Sequence, residues 1–393
     1  MKSTIYIYGN LDFSGNSAAA KRMMYYAKAL ADEKRKVYLL SCSRTKICPE
    51  NFIEVENGIH LLKSKSYTTS SFSSFLFLRR LYSFSKSKAT PASFILYPQA
   101  YFFLELWTVF YLIFLKRQKV FYEFNEVKKH YIFLYKSNSS SKIKAFFKTN
   151  IHKVLFVILD YLMRFYEGLI CISTNIQAYG ELYNKNTIRI PILTNPRLKI
   201  EHSNKEYADA DSFNIGFSGS IVPGKENLIE FVQVINKVQE KGFALKFNLC
   251  GTLSEKNSKL MIDSCTQENT INYYGNLNET ELSNFLKQQD LLVVPRGYTL
   301  QNKYGFSTKL SDYLNHLKVI LITDISDNAL YIKDGVNGFI VEPNSQEMMF
   351  EKLVYIIENF DALKEDIIEN AIKTSKESFD FRLYKSELQS FVS

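Results

Sequence analysis

Short apolar runs alternate with amphipathic stretches along the chain, which is the pattern of an α/β protein with buried strands. Near the start, residues 4–8 and 37–41 predict strands, and residues 17–31 between them carry apolar side chains at helical spacing. Such a βαβ unit connects parallel strands, so we expect a parallel sheet covered by helices. Three further short strands are predicted at 94–98, 120–124 and 169–173.

Three other stretches of the first half are less regular. Residues 63–90 are rich in Ser, Lys, Phe and Arg without periodicity, so a loop with one short helix is predicted. The apolar run 101–115 carries Glu105 and falls short of the ~20 residues that span a bilayer, which favours a buried or interfacial helix. The opening residues lack the apolar segment and cleavage site of a signal peptide, so export is not expected.

A polar stretch between 196 and 212 interrupts the apolar pattern and marks the predicted domain boundary. The alternation of strands and helices then resumes. Strands are predicted at 214–218, 244–249, 271–274, 291–295 and 319–323, and helices at 226–241, 279–288 and 307–315. The remaining residues, 346–392, read as helical with breaks near Phe360 and Asp380. Two doubly wound sheets in tandem place ligand sites at the carboxyl ends of their strands.

Composition and charge narrow the function classes. With 393 residues, 46% hydrophobic and 23% charged, the chain is globular and long enough for two domains. Five cysteines without a CxxC pair predict reduced thiols in the cytoplasm and argue against a zinc site or disulfide framework. Residues 1–200 carry 30 Lys and Arg against 12 Asp and Glu, a net charge of +18, and the remainder carries 19 against 28, a net charge of −9. This asymmetry predicts that the first half meets an anionic surface.

Residues 9–17 form the first of three strand–turn–helix loops that suit an anionic ligand. Gly15 and Asn16 let the backbone approach a ligand near the amides of a helix N-terminus. The loop does not match the GxGxxG fingerprint, so dinucleotide binding is not favoured. The alternative is a tight turn in which Ser17 caps the helix. Arg22, in that helix, is assigned either to the surface or to the site.

The other two loops lie in the second half. In residues 216–226, Ser218, Gly219 and Ser220 form a turn, and Lys225 at the expected helix opening is placed to neutralise a phosphate. In the third loop, Arg296 is followed by Ser307, Thr308 and Lys309 at the start of a helix, where amides, hydroxyls and an ammonium converge on an anion. Asp312, one turn on, accepts hydrogen bonds from ribose hydroxyls. The alternative for each loop is a capped helix with solvated charges.

Six blocks of the second half resemble the donor domain of family 4 retaining glycosyltransferases of GT-B fold, in the order and spacing of that family. They are residues 216–226, 248–251, 272–277, 290–295, 308–314 and 334–339. Residues 15–18, 170–174 and 190–192 are more loosely similar to the acceptor domain. The resemblance implies two Rossmann-like, doubly wound parallel-sheet domains facing across a cleft. Residues 1–200 would bind the acceptor, residues 201–376 the donor, and 377–393 would form a helix that crosses back to the first domain.

The resemblance also implies roles for individual residues. The family's basic pair for the diphosphate falls on Ser220 and Lys225, so one lysine is retained, and Arg296 or Lys309 supplies the missing charge. The two-glutamate motif falls on Tyr304 and Asp312, the latter contacting the ribose. The complete set expected to bind the donor is Gly15, Asn16, Ser218, Gly219, Ser220, Gly251, Gly275, Leu277, Arg296, Tyr304, Phe306, Ser307, Thr308 and Asp312.

Four residues are candidates for catalysis. Lys225 and Lys309 would stabilise the leaving diphosphate. Glu126 and His130 follow the strand at 120–124, where a general base or a sugar-orienting group is expected. Ordinary surface positions are the alternative for these two and for Glu123. No metal or cofactor is expected.

The expected function is therefore retaining transfer of a hexosyl or N-acetylhexosaminyl group from a UDP- or GDP-linked donor to a glycan or lipid-linked acceptor in surface polysaccharide biosynthesis. Basic residues interleaved with aromatic ones fit a peripheral position on the anionic inner face of the plasma membrane. They are Arg79, Arg80, Lys86, Lys88, Lys116, Arg117, Lys119, Lys142, Lys144 and Lys148.

Two other functions remain open at this stage. The basic half is also compatible with a nucleic-acid-binding protein, although no binding motif is present and the second half is acidic. The departures from the family at Ser220 and Tyr304 are compatible with an inactive relative that binds glycans or nucleotides.

Overall fold

A computed structural model describes most of the chain as two compact units. Unit 1 comprises Met1–Leu193 and Phe381–Ser393, and unit 2 comprises Thr194–Asp380. The described residues are 3–15, 17–64, 70–98, 102–130, 142–196, 207–209, 211–221, 225–253, 260–261, 263–267 and 270–393, with the backbone alone for 142–149.

The two division points differ from the boundaries at 200 and 376 expected from the sequence. The amide of Thr194 donates to the carbonyl of Phe379 over 2.7 Å, and Thr194 forms a parallel bridge with Asp380. Because these hydrogen bonds join the two ends of unit 2, the chain leaves unit 1 immediately before Thr194 and re-enters it at Phe381.

The described part of unit 1 contains an eight-stranded sheet. In chain order its strands are β1 Ser3–Gly9, β2 Arg35–Ser41, β3 Phe52–Glu56, β4 Ile59–Leu62, β5 Ala92–Tyr97, β6 Val120–Phe124, β7 Gly168–Cys171 and β8 Thr187–Arg189. Their spatial order is β3-β4-β2-β1-β5-β6-β7-β8, and only the β3–β4 pair is antiparallel. The expected parallel α/β architecture is confirmed. The β3–β4 hairpin was not predicted. Strand β3 is an edge strand in which two glutamates interrupt the apolar residues, and four of its five residues are exposed.

Helices cover this sheet. They are α1 Ala18–Leu30, α2 Ser71–Ser87, α3 Phe103–Trp107, a π-helix Thr108–Leu115, α4 Lys142–Leu162 and α5 Thr174–Gly180. The prediction of a loop with a short helix at 63–90 is wrong, because α2 runs for 17 residues. Its buried stripe of Phe77, Leu78, Leu81 and Phe84 has helical spacing that the surrounding serines concealed. The Ser17 side chain accepts from the amide of Ala20 and caps α1.

The described part of unit 2 contains a six-stranded, entirely parallel sheet. Its strands are β9 Phe213–Ser218, β10 Leu245–Cys250, β11 Ile271–Tyr273, β12 Leu291–Val294, β13 Val319–Thr323 and β14 Phe339–Val341. The order is β11-β10-β9-β12-β13-β14, so the direction of winding reverses between β9 and β12. In doubly wound sheets, ligands bind beyond the carboxyl ends of the strands at this reversal. A ligand-binding site is therefore expected at the loops after β9 and β12.

The helices of unit 2 are α6 Leu228–Glu240, α7 Glu279–Gln288, α8 Leu300–Tyr304, α9 Thr308–Asn315, α10 Asn328–Tyr331 and α11 Gln346–Ser378. The predicted break near Phe360 is wrong, since α11 is continuous over 33 residues. It contains neither glycine nor proline, and the Phe360 ring packs edge-on against Phe213 with 5.0 Å between ring centroids. The helix ends at Ser378, close to the predicted break at Asp380.

Helix α12, Lys385–Phe391, closes unit 1 against α1. Leu388 and Val392 are buried in the same apolar core as β1 and β2. The Phe391 ring contacts Phe121 of β6, and the Gln389 side chain donates to the carbonyl of Ala29 at 3.2 Å. The last 13 residues of unit 1 are thus part of its core packing.

Candidate functional site

A buried carboxylate collects two cations at the carboxyl end of the unit 2 sheet. Glu226 precedes α6, and its side chain is fully shielded from solvent. It accepts a 2.9 Å hydrogen bond from the Lys309 ammonium, at the start of α9. It also accepts hydrogen bonds of 3.1–3.3 Å from the guanidinium of Arg296, just after β12. Glu226 thus meets two cations that lie 70 and 83 residues further along the chain, and together they form one ion cluster.

The charges of this cluster shift its protonation equilibria. Burial alone raises a carboxyl pKa, but the positive charges of Arg296 and Lys309 outweigh it and lower the pKa of Glu226 to about 2. Burial lowers the pKa of Lys309 below its ordinary value, against the opposing effect of Glu226. Asp312 lies about one turn after Lys309 on the same helix, and its negative charge also raises the pKa of Lys309.

Glu226→Gln is expected to remove part of the acid sensitivity of the fold. The pKa of Glu226 is lower in the folded state than its unfolded value of about 4.5, so ionised Glu226 stabilises the fold above about pH 4.5. This contribution is lost as the pH falls toward 2. For a shift of this size the loss between pH 6 and pH 3 is about 2 kcal/mol. Urea unfolding followed by circular dichroism at both pH values measures it, with exposed Glu230→Gln as the control. An identical loss in the wild type and in Glu226→Gln would contradict the prediction.

Two glycines bring the neighbouring loops into contact. A Cβ on Gly251, whose φ is +117°, would lie 2.1 Å from the carbonyl oxygen of Gly219. A Cβ on Gly219 would lie 3.0 Å from Nζ of Lys309. The amide of Gly251 donates to the carbonyl of Gly275 over 2.7 Å. The backbones after β9, β10 and β11 therefore run side by side, with the Lys309 ammonium next to the first of them.

Polar groups near the start of α9 complete the cluster. Ser307 occupies the N-cap position of α9, but its side chain makes no capping hydrogen bond. Its hydroxyl is buried and has no hydrogen-bond partner among the described residues. The hydroxyl of Tyr313, on the same helix, accepts from the amide of Ser218 over 2.9 Å. Helix α9 thus faces the loop after β9 with a lysine and an unsatisfied hydroxyl.

The structure brings eight of the predicted site residues into this region. They are Ser218, Gly219, Gly251, Gly275, Arg296, Ser307, Lys309 and Asp312. Arg296 is buried and paired with Glu226, so it is not the solvated cation considered as the alternative for this loop.

Three other residues of the predicted set have different surroundings. Lys225 lies in a turn before α6, which begins only at Leu228, so it is not at the helix opening as expected. Its carbonyl accepts from the Asn302 side chain at 2.8 Å. Tyr304 is half-buried at the end of α8. Phe306 is buried against Tyr331 and Phe379, which is the environment of a core residue.

The remaining predicted donor-binding residues lie at turns and helix starts. Ser220 is exposed after β9, Leu277 is half-buried after β11, and Thr308 is the half-buried first residue of α9. In unit 1, Gly15 is half-buried and its amide donates to the carbonyl of Asp12 over 3.3 Å. Asn16 lies outside the described residues.

The acidic and imidazole candidates of unit 1 are in three environments. Glu126 is exposed. His130 is half-buried, and burial together with the charge of Lys129 lowers its pKa. The surface position considered for Glu123 is wrong, because its side chain is fully buried and accepts a 2.6 Å hydrogen bond from Nε of Arg22. That contact makes Glu123 a structural partner.

Arg22 is likewise a structural residue. Its Nη1 and Nη2 donate to the carbonyls of Pro191 and Ile190, at 2.5 and 2.8 Å. Together with the Glu123 bond, these contacts tie α1 to β6 and to the segment after β8. Arg22 is 3% exposed, which excludes the surface assignment.

Glu226 is the site residue that sequence reasoning missed. It lies next to Lys225 in a loop that was already singled out for its lysine. The sequence did contain a signal for it, namely the excess of cations in the predicted loops. Arg296 and Lys309 need an anionic partner if they are buried. A buried cation without a partner is costly, so an acid in one of these loops was to be expected.

Arg296 also lines a pocket of about 320 Å³. Its lining includes the buried apolar side chains of Phe231, Val234 and Met349 and the polar side chain of Thr323. Arg296 therefore borders both this pocket and the ion cluster. Among the described residues, no group of three or more His, Cys, Asp or Glu is arranged to hold a metal ion.

Comparisons with known proteins identify the fold and the domain. Residues 199–374 match the family model described as glycosyl transferases group 1. No curated protein sequence matches the chain.

Among solved structures, a sucrose-phosphate synthase from Thermosynechococcus elongatus is similar with a TM-score of 0.72 and 11% identity, over 99% of this chain and 98% of that one. HepE of Anabaena in complex with UDP-glucose is similar with a TM-score of 0.67 and 13% identity, over 98% of both chains. WaaG, a glycosyltransferase involved in lipopolysaccharide biosynthesis, is similar with a TM-score of 0.63 and 13% identity, over 100% of this chain and 99% of that one. The whole chain thus has the GT-B fold of these proteins, and its segment 199–374 matches the model of glycosyl transferases group 1.

Proposed function

We propose that this protein is a retaining glycosyltransferase that binds the diphosphate of a nucleotide-sugar donor at the ion cluster of unit 2. The observation that carries the proposal is the position of the Lys309 ammonium, held by buried Glu226 beside Gly219 and at the N-terminus of α9. Arg296 and Lys309 bring two positive charges against the one negative charge of Glu226, and Lys225 directly precedes Glu226 in the chain. These cations and the amides at the start of α9 would complement a diphosphate.

In the proposed reaction, the bond between the anomeric carbon and the phosphate breaks and negative charge grows on the leaving diphosphate. Lys309, Lys225 and the backbone amides near Gly219 stabilise that charge in a water-poor site. These groups supply the positive charge themselves, so the proposal calls for no metal ion. The acceptor hydroxyl oxygen bonds to the anomeric carbon, and the departing phosphate takes the proton of that hydroxyl. Asp312 accepts hydrogen bonds from the ribose of the donor.

The proposed donor is a UDP- or GDP-linked hexose or N-acetylhexosamine. The resemblance to HepE, solved with UDP-glucose, supports testing UDP first. The proposed acceptor is a glycan or lipid-linked sugar of a surface polysaccharide, which the similarity to WaaG supports. A lipid-linked acceptor would bring the enzyme to the inner face of the plasma membrane, and the net charge of +18 on residues 1–200 fits the anionic lipids there.

UDP is expected to raise the unfolding temperature of the protein by about 5–10 °C at a hundredfold excess over its dissociation constant. A ligand that binds only the folded state stabilises it in proportion to the logarithm of its saturation. Thermal-shift measurements with UDP, GDP, ADP and uridine test this, and uridine should give little shift because it lacks the diphosphate.

Matched variants show whether the stabilisation by UDP depends on the proposed site. Lys225→Ala should reduce the shift by UDP, whereas Lys237→Ala, which removes an exposed lysine of α6, should not. If no nucleoside diphosphate or nucleotide sugar stabilises the protein, the proposed donor site is wrong. Binding of UDP without release of UDP from any donor sugar would instead indicate the inactive relative.

A further inference from the structure

Unit 1 exposes apolar side chains on two adjoining helical segments that nothing described covers. On α4, Ile151, Val154, Val157, Ile158 and Tyr161 are between 41% and 60% exposed. Their spacing places them on one face of the helix, within an arc of about 120°. The opposite face, with Phe156 and Leu159, is buried in unit 1. Helix α4 is therefore apolar both toward the core and toward solvent.

The π-helix continues this surface. Phe110, Phe114 and Leu115 are 53–60% exposed. In a helix whose hydrogen bonds close from residue i to i+5, residues four and five apart lie on the same side. The Phe114 ring contacts Phe165, just beyond α4, with 4.8 Å between centroids, and Phe165 also contacts Tyr161. These ring contacts join the two segments into one surface, which we call the apolar face.

Positive charges border the apolar face. Arg117 and Lys119 follow the π-helix and are exposed, as are Lys153 and Arg164 beside the α4 stripe. The Arg164 guanidinium lies over the Tyr161 ring at 3.4 Å from its centroid. Between residues 150 and 164, the acidic side chain is Asp160, which is buried and accepts from the Tyr179 hydroxyl. The exposed charges of this stretch are therefore positive.

We infer that the apolar face docks the protein on an anionic lipid bilayer, with the phenylalanines and aliphatic side chains in the interfacial layer and the basic residues on the lipid headgroups. Large exposed apolar patches on soluble folds mark interaction surfaces, and a basic border selects an anionic partner. No helix among the described residues is long and apolar enough to cross a membrane. The inference deepens the proposed function, on which it rests for a lipid-linked acceptor.

Co-sedimentation of the full-length protein with vesicles tests the inference at low salt. The protein should sediment with vesicles of phosphatidylcholine and phosphatidylglycerol, and much less with phosphatidylcholine alone. Val154→Glu combined with Val157→Glu should weaken this binding at least roughly tenfold, because two charges replace inserted apolar groups. Lys153→Glu should weaken it by about fivefold or more, since one basic residue near the surface contributes about that factor.

Matched controls separate docking from folding and from activity. Leu182→Glu changes a residue of unit 1 that is 72% exposed outside the apolar face, and Lys185→Glu reverses an exposed charge outside it. Both should bind vesicles as the wild type does. All variants should keep the wild-type circular dichroism spectrum, unfolding temperature and stabilisation by UDP. Vesicle binding requires neither donor nor turnover. The docking inference can therefore be tested even if the protein is found not to bind a nucleotide sugar.

Three vesicle-binding results would overturn the inference. They are absence of binding to anionic vesicles, equal binding to neutral and anionic vesicles, and unchanged binding of Val154→Glu/Val157→Glu. A wild-type dimer in light scattering that this double variant converts to a monomer would also overturn it, because the apolar face would then be covered by a second copy of the chain.

Discussion

Lys309→Met is expected to lower the turnover number for sugar transfer by about 10²–10³, the usual cost of removing one preorganised group from a developing negative charge. Methionine keeps much of the side-chain length and packing, but it has no positive charge to offer the leaving diphosphate. Steady-state release of nucleoside diphosphate, measured with the donor identified by thermal shift, gives the turnover number and the Michaelis constant separately.

The stability of Lys309→Met should change much less than its activity. Glu226 remains paired with the Arg296 guanidinium through three hydrogen bonds, so the carboxylate is not left alone in the interior. Lys333→Met, which removes an exposed lysine of unit 2, serves as the control and should transfer sugar at the wild-type rate. A Lys309→Met protein with wild-type turnover would refute the role proposed for the ion cluster.

Arg22→Ala should destabilise unit 1 by about 3–5 kcal/mol, because the ionised Glu123 carboxylate would remain in the interior without its partner. Both side chains are almost completely shielded, at 2% and 0% exposure. The substitution also removes the donors to the carbonyls of Ile190 and Pro191. For a unit of this size, the unfolding temperature should fall by roughly 10 °C.

The single tryptophan of the chain, Trp107, lies in unit 1, so its fluorescence during urea unfolding follows that unit. The matched control is Arg35→Ala, which breaks the ion pair between Arg35 and Asp32. Because both of these side chains are about one quarter exposed, that loss should be below about 1 kcal/mol. Equal destabilisation by the two variants would show that burial of the Arg22–Glu123 pair has no special energetic effect.

Most of the architecture could be predicted from the apolar pattern, because both sheets are largely parallel and most of their strands are buried. Strands such as β6 and β13 are mostly apolar or aromatic, with Glu123 as the charged residue of β6, and their predicted bounds agree with the structure. The errors came where local composition misrepresents packing. In α2, the many serines made the apolar stripe hard to recognise. In the edge strand β3, glutamates interrupt the apolar residues and most side chains are exposed.

The site was only partly readable for a different reason. A helix start, a glycine turn and a lysine are local features, so the loops containing Gly219, Gly251 and Lys309 were predicted from the sequence. The pairing of Glu226 with Arg296 and Lys309 joins residues that are 70 and 83 positions apart along the chain. The close approach of Gly251 to Gly219 also depends on the sheet order. Neither contact has a signature in a single sequence.

The division of unit 1 between the two ends of the described chain has a consequence for biosynthesis. Ribosomes make proteins from the N-terminus, and domains generally fold as they emerge. Unit 2 is continuous in sequence, so all of it leaves the ribosome before Leu388 and Val392, which fill the core beneath α1. Unit 1 therefore cannot complete its core during translation until helix α12 has been made. A nascent chain stalled at residue 380 should expose that core to proteases and chaperones.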